Sequence, residues 1–253
     1  MSTRKIALIT GGSRGLGREM AIAIANKGID VILTYHTNQD AAQEVINELH
    51  KTGVSGKAFQ LDTSNTKTFD SFKEELSYYL ENELKTTHFD FLINNAGTGI
   101  EKSFLETTEN DFDEMMNIHL KGVYFLTQKL APLVNDGGSI INISSGLARF
   151  SFPAYSAYAS MKGAVEVFTR YLAKELGDRK IRANIVAPGA IATDFGGGAN
   201  KNNEAKRNAI SNFTALGRIG EPDDIGGVVA FLCSEDAKWI NGQRIEVSGG
   251  MLL

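Results

Sequence analysis

The feature that most constrains the fold is a regular alternation of short apolar segments with longer amphipathic ones. Segments with the length and composition of strands lie at residues 6–10, 30–35, 57–62, 89–93, 138–143, 182–187 and 243–247. Segments with helical periodicity lie between them, at residues 18–27, 39–51, 66–84, 108–134, 155–176, 204–214 and 222–234. Because parallel strands need a crossover connection, this order predicts an α/β fold, a doubly wound parallel sheet of about seven strands with helices on both faces.

The bulk properties limit what the chain binds. Its 253 residues suffice for one large α/β domain or two small ones, and no linker or repeat divides them. The formal net charge of -4 comes without charge blocks, which argues against a nucleic-acid partner or an anionic membrane surface. No apolar run approaches the roughly 18–20 residues that span a bilayer, and residues 1–5 leave no room for a signal peptide before the first strand.

The thiol and imidazole groups are few. Cys233 is the only cysteine, so we expect no internal disulfide and a cytoplasmic location. Its apolar neighbours predict that the thiol is buried packing. The four histidines are scattered without metal-ligand spacing, and we therefore predict no metal site.

A glycine-rich turn joins the first strand to the first helix. Its sequence is Thr10-Gly11-Gly12-Ser13-Arg14-Gly15-Leu16-Gly17. Glycines let the backbone approach a ligand closely, and the free N–H groups at a helix N-terminus face a pyrophosphate. The spacing Gly-x-x-x-Gly-x-Gly differs from the Gly-x-Gly-x-x-Gly fingerprint, and a purely structural turn is the alternative. The position between a strand and a helix favours nucleotide binding.

The end of the second strand bears on which nucleotide is bound. An acidic residue there would bind a ribose 2′-hydroxyl and repel a 2′-phosphate. Here Tyr35 and His36 occupy the position, and Arg14 is available from the glycine turn. One fixed cation, a second group that can be protonated and no carboxylate favour NADPH/NADP+ over NADH, although Arg14 and His36 are ordinary surface residues in the alternative interpretation. Asp62, at the end of the third strand, is placed to reach an adenine edge.

A serine, a tyrosine and a lysine carry the candidate chemistry. Ser145 follows the fifth strand, and Tyr158 and Lys162 are four residues apart in the next helical segment, which puts them on one face. A phenol, with a pKa near 10, donates its proton poorly at pH 7 until a neighbouring cation lowers that pKa. Lys162 supplies such a cation, and Ser145 would hold a carbonyl oxygen at the strand end where open parallel sheets bind ligands. The alternative is a Tyr-x-x-x-Lys pair on a solvated helix face.

Taken together, these motifs resemble the short-chain dehydrogenase/reductase family in its single-domain form, from one end of the chain to the other. The matching pieces are Thr10-Gly11-x-x-x-Gly15-x-Gly17, Asn94-Asn95-Ala96-Gly97, Ser145, Tyr158-x-x-x-Lys162 and Pro188-Gly189. Ser145 stands thirteen residues before Tyr158, the spacing that the family uses. The resemblance implies a single NAD(P)-binding domain of the Rossmann type over residues 1–253. Within the family the chain is similar to 3-oxoacyl-carrier-protein reductases and microbial carbonyl reductases.

The resemblance also implies a role for each motif. Hydride would pass from the nicotinamide to a carbonyl carbon while Tyr158 protonates the oxygen and Ser145 donates a hydrogen bond to it. Lys162 would hold the nicotinamide ribose and lower the pKa of Tyr158. The implied cofactor-binding residues are Gly11, Ser13, Arg14, Gly15, Leu16, Gly17, Tyr35, His36, Asp62, Thr63, Asn95, Ala96, Gly97, Tyr158, Lys162, Pro188, Gly189, Ile191 and Thr193.

One position departs from the family pattern. The family usually has an asparagine directly before Leu-Lys-Gly, where it helps to hold a water that relays protons to the lysine. Here the residue before Leu120 is His119. Because a histidine can also donate, accept and shuttle protons, we count His119 as a fourth candidate catalytic residue and expect a shifted pH profile. Simple packing of its ring is the alternative.

Three functions remain open from the sequence. The leading hypothesis is an NADPH-dependent reductase of a small ketone or aldehyde, and the second is a 3-oxoacyl-[acyl-carrier-protein] reductase. An acidic carrier protein would need a basic patch, yet the loop before the fifth strand carries Asp136, which Arg179 and Lys180 offset only in part. The third is a catalytically silent NADP-binding regulatory protein, which would not need to retain Ser145, Tyr158 and Lys162.

The expected substrate pocket and assembly follow from the remaining segments. Residues 194–215, a mobile loop rich in glycine and asparagine followed by a short helix, are predicted to form a substrate lid. The pocket wall is apolar, which favours hydrophobic or aryl ketones, and its expected residues are Gly146, Leu147, Phe150, Phe152, Pro153, Phe195 and Phe213. The resemblance implies a homotetramer in which the helices at 108–134 and 155–176 pair across a two-fold axis.

Overall fold

A computed structural model describes residues 4–253, which contain one seven-stranded sheet. The strands are β1 (Ile6–Ile9), β2 (Asp30–Tyr35), β3 (Gly56–Gln60), β4 (Phe89–Asn94), β5 (Val134–Ile143), β6 (Arg182–Pro188) and β7 (Arg244–Val247). Their order is β3-β2-β1-β4-β5-β6-β7, and every neighbouring pair is parallel. The predicted doubly wound α/β fold is confirmed.

Helices cover both faces of the sheet. They are α1 (Gly15–Ala25), α2 (Gln39–Lys51), α3 (Phe69–Asn82), α4 (Glu109–Met116), α5 (Gly122–Leu130), α6 (Ser156–Glu175), α7 (Ala199–Asn202), α8 (Glu204–Asn212) and α9 (Asp223–Leu232). Helices α1, α2 and α9 pack on one face, and α3, α5 and α6 pack on the other. The two faces enclose two separate hydrophobic clusters.

Alternate residues of each central strand enter opposite clusters. In β1, Ala7 and Ile9 belong to the cluster under α1, whereas Ile6 and Leu8 belong to the cluster under α3. All four side chains are buried. A strand buried on both faces has to be apolar throughout, and each large aliphatic side chain removed from water contributes about 1.5–3 kcal/mol. This is why the strands are recognisable in the sequence as continuous apolar runs.

A buried polar chain crosses the sheet between β4 and β5. The amide nitrogen of Asn94 lies 2.9 Å from the Thr127 hydroxyl and 2.7 Å from Asn142 Oδ1. The amide nitrogen of Asn142 in turn lies 2.8 Å from the Thr169 hydroxyl. Because an unpaired buried polar group costs about 1–3 kcal/mol, these pairings fix how α5 and α6 sit against the sheet.

The segment at 108–134 is not the single regular helix that the sequence predicted. It begins as expected, with Thr108 and Asp111 forming a capping box at the start of α4. The hydrogen bonds then change to the wider π pattern over Asn117–Lys121, between α4 and α5. The helix gives way to a 3₁₀ turn that contains Pro132, which has no N–H to continue the pattern, and Val134 already begins β5.

The segment after β6 also differs from the prediction. We expected a mobile loop at residues 195–203, but the structure has a 3₁₀ turn at Phe195–Gly198 and then α7. Gly196, Gly197 and Gly198 have φ of 60°, 83° and 76°, in the left-handed region that only glycine enters without strain. Three consecutive glycines therefore let the chain reverse tightly here before α8.

Candidate active site

The C-terminal ends of β1, β4, β5 and β6 lie side by side at one edge of the sheet. The strand order reverses between β1 and β4, and the connections from these strands leave towards opposite faces, which opens a crevice. The glycine turn follows β1, residues 95–97 follow β4, Ser145 follows β5 and residues 189–193 follow β6. The fold thus brings to one crevice the motifs that are far apart in the sequence.

The glycine turn has the geometry of an anion-binding loop. Gly11 and Gly15 have φ of 66° and 53°. A Cβ on Gly11 would lie 2.9 Å from Ala96 Cα, and one on Gly17 would lie 2.1 Å from the Gly11 carbonyl oxygen. The N-cap residue of α1, Arg14, makes no side-chain cap, and the first turn has no acidic residue. The first N–H groups of α1 therefore remain available for a phosphate, and the chain fits a dinucleotide here.

Asn95 stabilises this turn. Its amide nitrogen lies 2.9 Å from the Thr10 carbonyl oxygen and 3.0 Å from that of Gly11. The Thr10 hydroxyl accepts from the backbone N–H groups of Asn95 and Ala96, each at 3.0 Å. The amide group of Asn95 therefore links the end of β4 to the end of β1 and the glycine turn.

The predicted nucleotide-selecting residues lie in the glycine turn and at the ends of β2 and β3. Tyr35 is half-buried at the end of β2, and Arg14 and His36 are exposed. His36 Nε2 lies 3.8 Å from a carboxylate oxygen of Asp62. Asp62 also accepts hydrogen bonds from the N–H and hydroxyl of Ser64, at 2.9 and 2.7 Å. Within residues 4–253, Arg14 forms no ion pair, so its charge is free to meet a phosphate.

The remaining predicted cofactor residues lie along the same crevice. Thr193 lies beside the turn, since its Cβ would be 3.7 Å from a Cβ on Gly15. Ile191 and Thr193 are buried, and Gly189 approaches Ser248 so closely that a Cβ would lie 2.8 Å from it. The others take these places: Ser13 and Leu16 are half-buried in the turn and α1, Thr63 follows Asp62, Gly97 is exposed after β4, and Pro188 ends β6.

Ser145 is held as the N-cap of a 3₁₀ turn at Gly146–Ala148. Its Oγ accepts a hydrogen bond from the Leu147 N–H at 3.2 Å. Because this contact uses an oxygen lone pair, the hydroxyl proton remains available for another acceptor. The neighbouring Ser145 hydroxyl also opposes the effect of burial on the pKa of Tyr158.

Tyr158 and Lys162 lie on the buried face of α6, as their spacing predicted. The Lys162 ammonium is 5.5 Å from the centre of the Tyr158 ring and donates to the Ile143 carbonyl oxygen at 2.7 Å. Burial raises the pKa of Tyr158 above its usual value, and Ser145 opposes the increase. Burial also lowers the pKa of Lys162 to about 7. The protein alone therefore does not produce the expected lowering of the Tyr158 pKa, because burial disfavours the charged phenolate.

His119 lies in the π turn and is 1% exposed. Its Nε2 is 2.6 Å from the Thr98 carbonyl oxygen, and its ring meets the Tyr158 ring edge to face at 5.0 Å. The contact with a carbonyl oxygen requires a proton on Nε2, which leaves Nδ1 as an acceptor, and Nδ1 has no partner among the described residues. Burial, reinforced by the Lys162 charge, lowers the pKa of His119 to about 3. The ring stays neutral at pH 7, so the expected shift of the pH profile cannot come from its protonation there.

Sequence reasoning missed several side-chain contacts around the site. The Phe195 ring lies 5.8 Å from the Tyr158 ring, and Gly99 leaves the space that the Phe195 ring fills. Glu101, Tyr155 and Lys206 form a hydrogen-bonded group at the crevice mouth. Their partners are distant in the sequence, and no spacing pattern indicated them.

Two further observations concern other ligands. Within residues 4–253, no group of three histidine, cysteine, aspartate or glutamate side chains is placed to hold a metal ion. Over the same range, none of the helices combines the length and apolar character needed to cross a membrane.

The sheet, the open helix N-terminus and the neighbouring serine, tyrosine and lysine together describe a dinucleotide-dependent oxidoreductase. A family model described as Enoyl-(Acyl carrier protein) reductase matches residues 11–252. The chain belongs to the short-chain dehydrogenase/reductase family. This confirms the resemblance noted in the sequence and the predicted class of enzyme, an oxidoreductase acting on CH–OH and C=O groups.

Several relatives match over nearly the whole chain. Hydroxynaphthalene reductase-like protein Arp2 of Metarhizium brunneum is 35% identical, with 97% of this chain and 94% of that protein covered. The angucycline C-6 ketoreductase LanV, solved with bound NADP, is 38% identical with a TM-score of 0.92, covering 98% of this chain and 95% of LanV. The promiscuous reductase LugOII, which catalyses keto-reduction at C1 during lugdunomycin biosynthesis, is 34% identical with a TM-score of 0.93 and 98% coverage of both chains.

The low pKa of His119 predicts how acid affects stability. In the unfolded chain His119 takes up a proton below its usual pKa of 6.5, but in the folded protein only below about 3. Between these values the unfolded state binds more protons, so stability falls as the pH decreases. One proton corresponds to about 1.4 kcal/mol per pH unit. The His119→Asn variant should therefore lose less stability than the wild type between about pH 6.5 and pH 4.

Urea unfolding at a series of pH values measures this difference. Because each protein is compared with itself at two pH values, any pH-independent loss of unfolding free energy caused by the smaller side chain cancels. His50→Asn is the matched control, because His50 is exposed in the last turn of α2, and it should keep the acid sensitivity of the wild type. Equal acid sensitivity in all three proteins would contradict the buried neutral state of His119.

Proposed function

We propose that this chain is an NADPH-dependent ketoreductase in which Tyr158 is the general acid. The observation that carries the proposal is the convergence of Ser145, Tyr158 and Lys162 beside the glycine turn, with Ser145 close enough to influence the pKa of Tyr158 and the Lys162 ammonium 5.5 Å from the Tyr158 ring. The raised pKa of Tyr158 keeps the phenol protonated at pH 7, which is the form a reduction needs.

Each residue of the site has a distinct role in the proposed reaction. NADPH, when bound, supplies the hydride. Ser145 donates its free hydroxyl proton as a hydrogen bond to the carbonyl oxygen, and Tyr158 transfers its own proton to that oxygen as negative charge develops. Lys162, with a pKa near 7, holds the cofactor ribose and can return a proton towards Tyr158. His119, neutral and held by Thr98, supports the Tyr158 ring and offers Nδ1 as an acceptor behind it.

NADPH is the cofactor that the charges favour. Arg14 is exposed at the start of α1 without an ion pair in residues 4–253, and His36 stands at the end of β2. Both can meet a 2′-phosphate. The solved relatives agree, since LanV was obtained with NADP and a blue fluorescent protein from a metagenomic library with NADPH.

The substrate class is a ketone on an apolar, planar ring system. Phe150, Phe152 and Phe213 form a series of edge-to-face contacts at 5.7 and 6.0 Å, and the Phe195 ring lies 5.8 Å from that of Tyr158. Aromatic walls of this kind favour flat aromatic ligands. The names of the relatives, a hydroxynaphthalene reductase-like protein and an angucycline ketoreductase, support the same class.

The carrier-protein alternative has weaker support. The family model carries an acyl-carrier-protein name, but Arg179, one of the two cations that would form the basic patch, is engaged elsewhere. Arg179 pairs with Asp136 at 2.8 Å and donates to the carbonyl oxygens of Ala131 and Val134. We therefore favour a free ketone over a carrier-bound thioester.

A carbonyl panel tests the proposed function. NADPH oxidation should be fastest with a bicyclic aryl ketone, slower with a small aliphatic ketone or an acetoacetyl thioester, and slower with NADH than with NADPH. Tyr158→Phe should lower kcat by about 10²–10⁴-fold, the usual contribution of a general acid, with NADPH binding retained in a fluorescence titration. Tyr79→Phe, which alters a tyrosine on α3 outside the crevice, is the control. Preference for the thioester would support the carrier alternative, and NADPH binding without turnover of any carbonyl would support the silent regulator.

Residues 194–215 are proposed to act as the substrate lid. The three left-handed glycines let the segment reverse at its start, and Lys206 joins α8 to residues of the crevice mouth. The Tyr155 hydroxyl donates to Glu101 at 2.7 Å, and the Lys206 ammonium lies 3.3 Å from Glu101 and 3.4 Å from the Tyr155 oxygen. We call these contacts among Glu101, Tyr155 and Lys206 the latch. Such partly exposed contacts contribute up to about 1 kcal/mol, which is weak enough for the latch to open in each catalytic cycle.

The latch can be tested by removing its lysine. Lys206→Met should raise KM for the ketone by up to about fivefold, because about 1 kcal/mol of closed-state stabilisation is lost, while KM for NADPH stays unchanged. Lys201→Met is the matched control, since Lys201 pairs with Asp194 inside the lid itself at 3.2 Å. Steady-state kinetics with both substrates measures the effect. An unchanged KM for the ketone, or an equal change in both variants, would rule out the latch.

We propose a homotetramer, as the resemblance implied. The outer faces of α5 and α6 expose large apolar side chains, with Tyr124, Phe125, Val167 and Tyr171 between 40% and 63% exposed. Apolar residues grouped on adjacent helices are typical of subunit interfaces. Covering them by the same face of a second copy would satisfy the two-fold symmetry of most homo-oligomers.

Sedimentation equilibrium tests this assembly. The wild type should sediment at about four times its chain mass of 27.4 kDa. Tyr171→Glu should produce smaller species, because a charge would be buried in the interface. Tyr78→Glu, at a tyrosine on α3 that is 69% exposed, should leave the mass unchanged. A wild-type chain that sediments as a monomer would disprove the assembly.

We also propose that residues 1–253 act as one domain in the cytoplasm. One continuous sheet runs through residues 6–247. The lone Cys233 is buried, and burial raises its pKa to about 12, which makes it an unreactive packing residue suited to a reducing compartment.

A further inference from the structure

A chain of alternating charges lies behind Ser145. It runs from Glu166 on α6 through Arg244 and Glu246 on β7 to Arg149, four residues after Ser145. Arg244 Nε lies 2.8 Å from Glu166, and Arg244 Nη1 lies 2.7 Å from Glu246. Arg149 then binds both carboxylate oxygens of Glu246 at 2.7 Å. The four groups link three elements that meet only in the folded protein.

Arg244 contacts the serine segment in two ways. Its Nη2 donates to the Ser145 carbonyl oxygen at 3.3 Å. Through Glu166 it also reaches the preceding residue, because the buried Ser144 hydroxyl donates to the same Glu166 oxygen at 2.7 Å. One guanidinium therefore fixes the carbonyl of Ser145 and the carboxylate that holds Ser144.

Arg149, at the other end of this row of alternating charges, is also held by several hydrogen bonds. Arg149 donates to the carbonyl oxygens of Met251 at 2.7 Å and Leu252 at 3.2 Å. Ser248 donates to Glu246 at 2.8 Å. Arg149, together with Arg244 and Ser248 and against the effect of burial, lowers the pKa of Glu246 to about 2. Glu246 thus stays ionised, and Arg244 cannot lose this partner at any pH used for assay.

The burial of these groups makes their geometry stiff. The side chains of Glu166, Arg244 and Glu246 are 14%, 23% and 19% exposed. Ion pairs shielded to this extent are less screened than surface pairs, and the planar fork of a guanidinium sets direction as well as distance. Arg244 therefore cannot rotate without breaking several hydrogen bonds together.

The orientation of the Ser144–Ser145 segment decides where the Ser145 hydroxyl points. The Leu147 N–H holds that hydroxyl oxygen at 3.2 Å, and the phenol of Tyr158 is near enough for Ser145 to influence its pKa. The peptide after Ser145 leads into the turn that carries the Leu147 N–H, so a rotation of that peptide would displace this donor from the Ser145 hydroxyl. A restraint on the Ser145 carbonyl is therefore a restraint on the group that meets the substrate oxygen.

We propose that Arg244, clamped between Glu166 and Glu246, is a positioning residue that holds the Ser145 hydroxyl in line with Tyr158. The proposal rests on the proposed function, since Ser145 has to bind the carbonyl oxygen for the position to matter. In this role Arg244 touches neither substrate nor cofactor and acts only through Ser145.

A double-mutant cycle tests whether Arg244 acts through Ser145. Arg244→Met should lower kcat for ketone reduction about tenfold, within the ~10²-fold that a misplacement of 1 Å can cost, with KM for NADPH unchanged. In a Ser145→Ala background the same substitution should lower kcat less than twofold, because the group that Arg244 positions is already absent. Arg244→Lys, which keeps the charge but lacks the fork, provides a second cycle if the methionine variant does not fold.

Arg179→Met is the matched control. Arg179 also binds one carboxylate and a backbone carbonyl of β5, that of Val134, but at the opposite end of the strand from Ser145. It should leave kcat within twofold of the wild type. An equal loss of kcat from the Arg244 substitution in both Ser145 backgrounds would overturn the proposal, as would no loss in either.

Hydrogen exchange separates this proposal from the proposed function. Arg244→Met should speed amide exchange in the peptide covering residues 144–150, whereas Arg179→Met should not. If the wild type reduced no carbonyl, the ketoreductase proposal would fail, yet the exchange rates would still decide whether Arg244 holds the serine segment. Unchanged exchange in the Arg244 variant would overturn the positioning role whatever the activity.

Discussion

The crevice depends on the close packing of the end of β1 against the end of β4. Gly11 lies so near Ala96 that no side chain fits between them, and Gly17 also lies very close to the Gly11 carbonyl oxygen. The Thr10 hydroxyl accepts two backbone N–H groups from the β4 side, and Asn95 returns two hydrogen bonds to the turn. The glycine turn therefore has one shape, and the N-terminus of α1 opens towards the ligand because of it.

Burial dominates the electrostatics of the reacting groups. It raises the pKa of Tyr158, lowers that of Lys162 to about 7 and lowers that of His119 to about 3. All three shifts favour the neutral form, since a charge is costly away from water. The protein by itself thus presents a protonated phenol and a neutral imidazole. A positive nicotinamide ring entering this crevice would encounter little screening, which is why its charge would act strongly on Tyr158.

Much of the fold and part of the site could be predicted from local patterns. The strands were recognisable because burial on both faces requires apolar runs, and Tyr158 and Lys162 share a face because of helical spacing. The π turn at His119 was not predicted, because one extra residue in a helix leaves no trace in hydrophobic periodicity. The contacts of Arg244 with Glu166 and Ser145 join residues 78 and 99 positions apart, and that of Lys206 with Glu101 spans 105. Pairings at such separations have no local pattern.

The sequence by itself determined the order of the elements, the chemical types available at each strand end and membership of a family of oxidoreductases. These follow from periodicity, from turn chemistry and from the spacing of a few side chains. Only the tertiary structure decided which groups are neutral, which hydroxyl proton is free and which arginine holds the Ser145 carbonyl. The physical reason is that desolvation and long-range hydrogen bonds arise from packing between elements, and no single segment carries them.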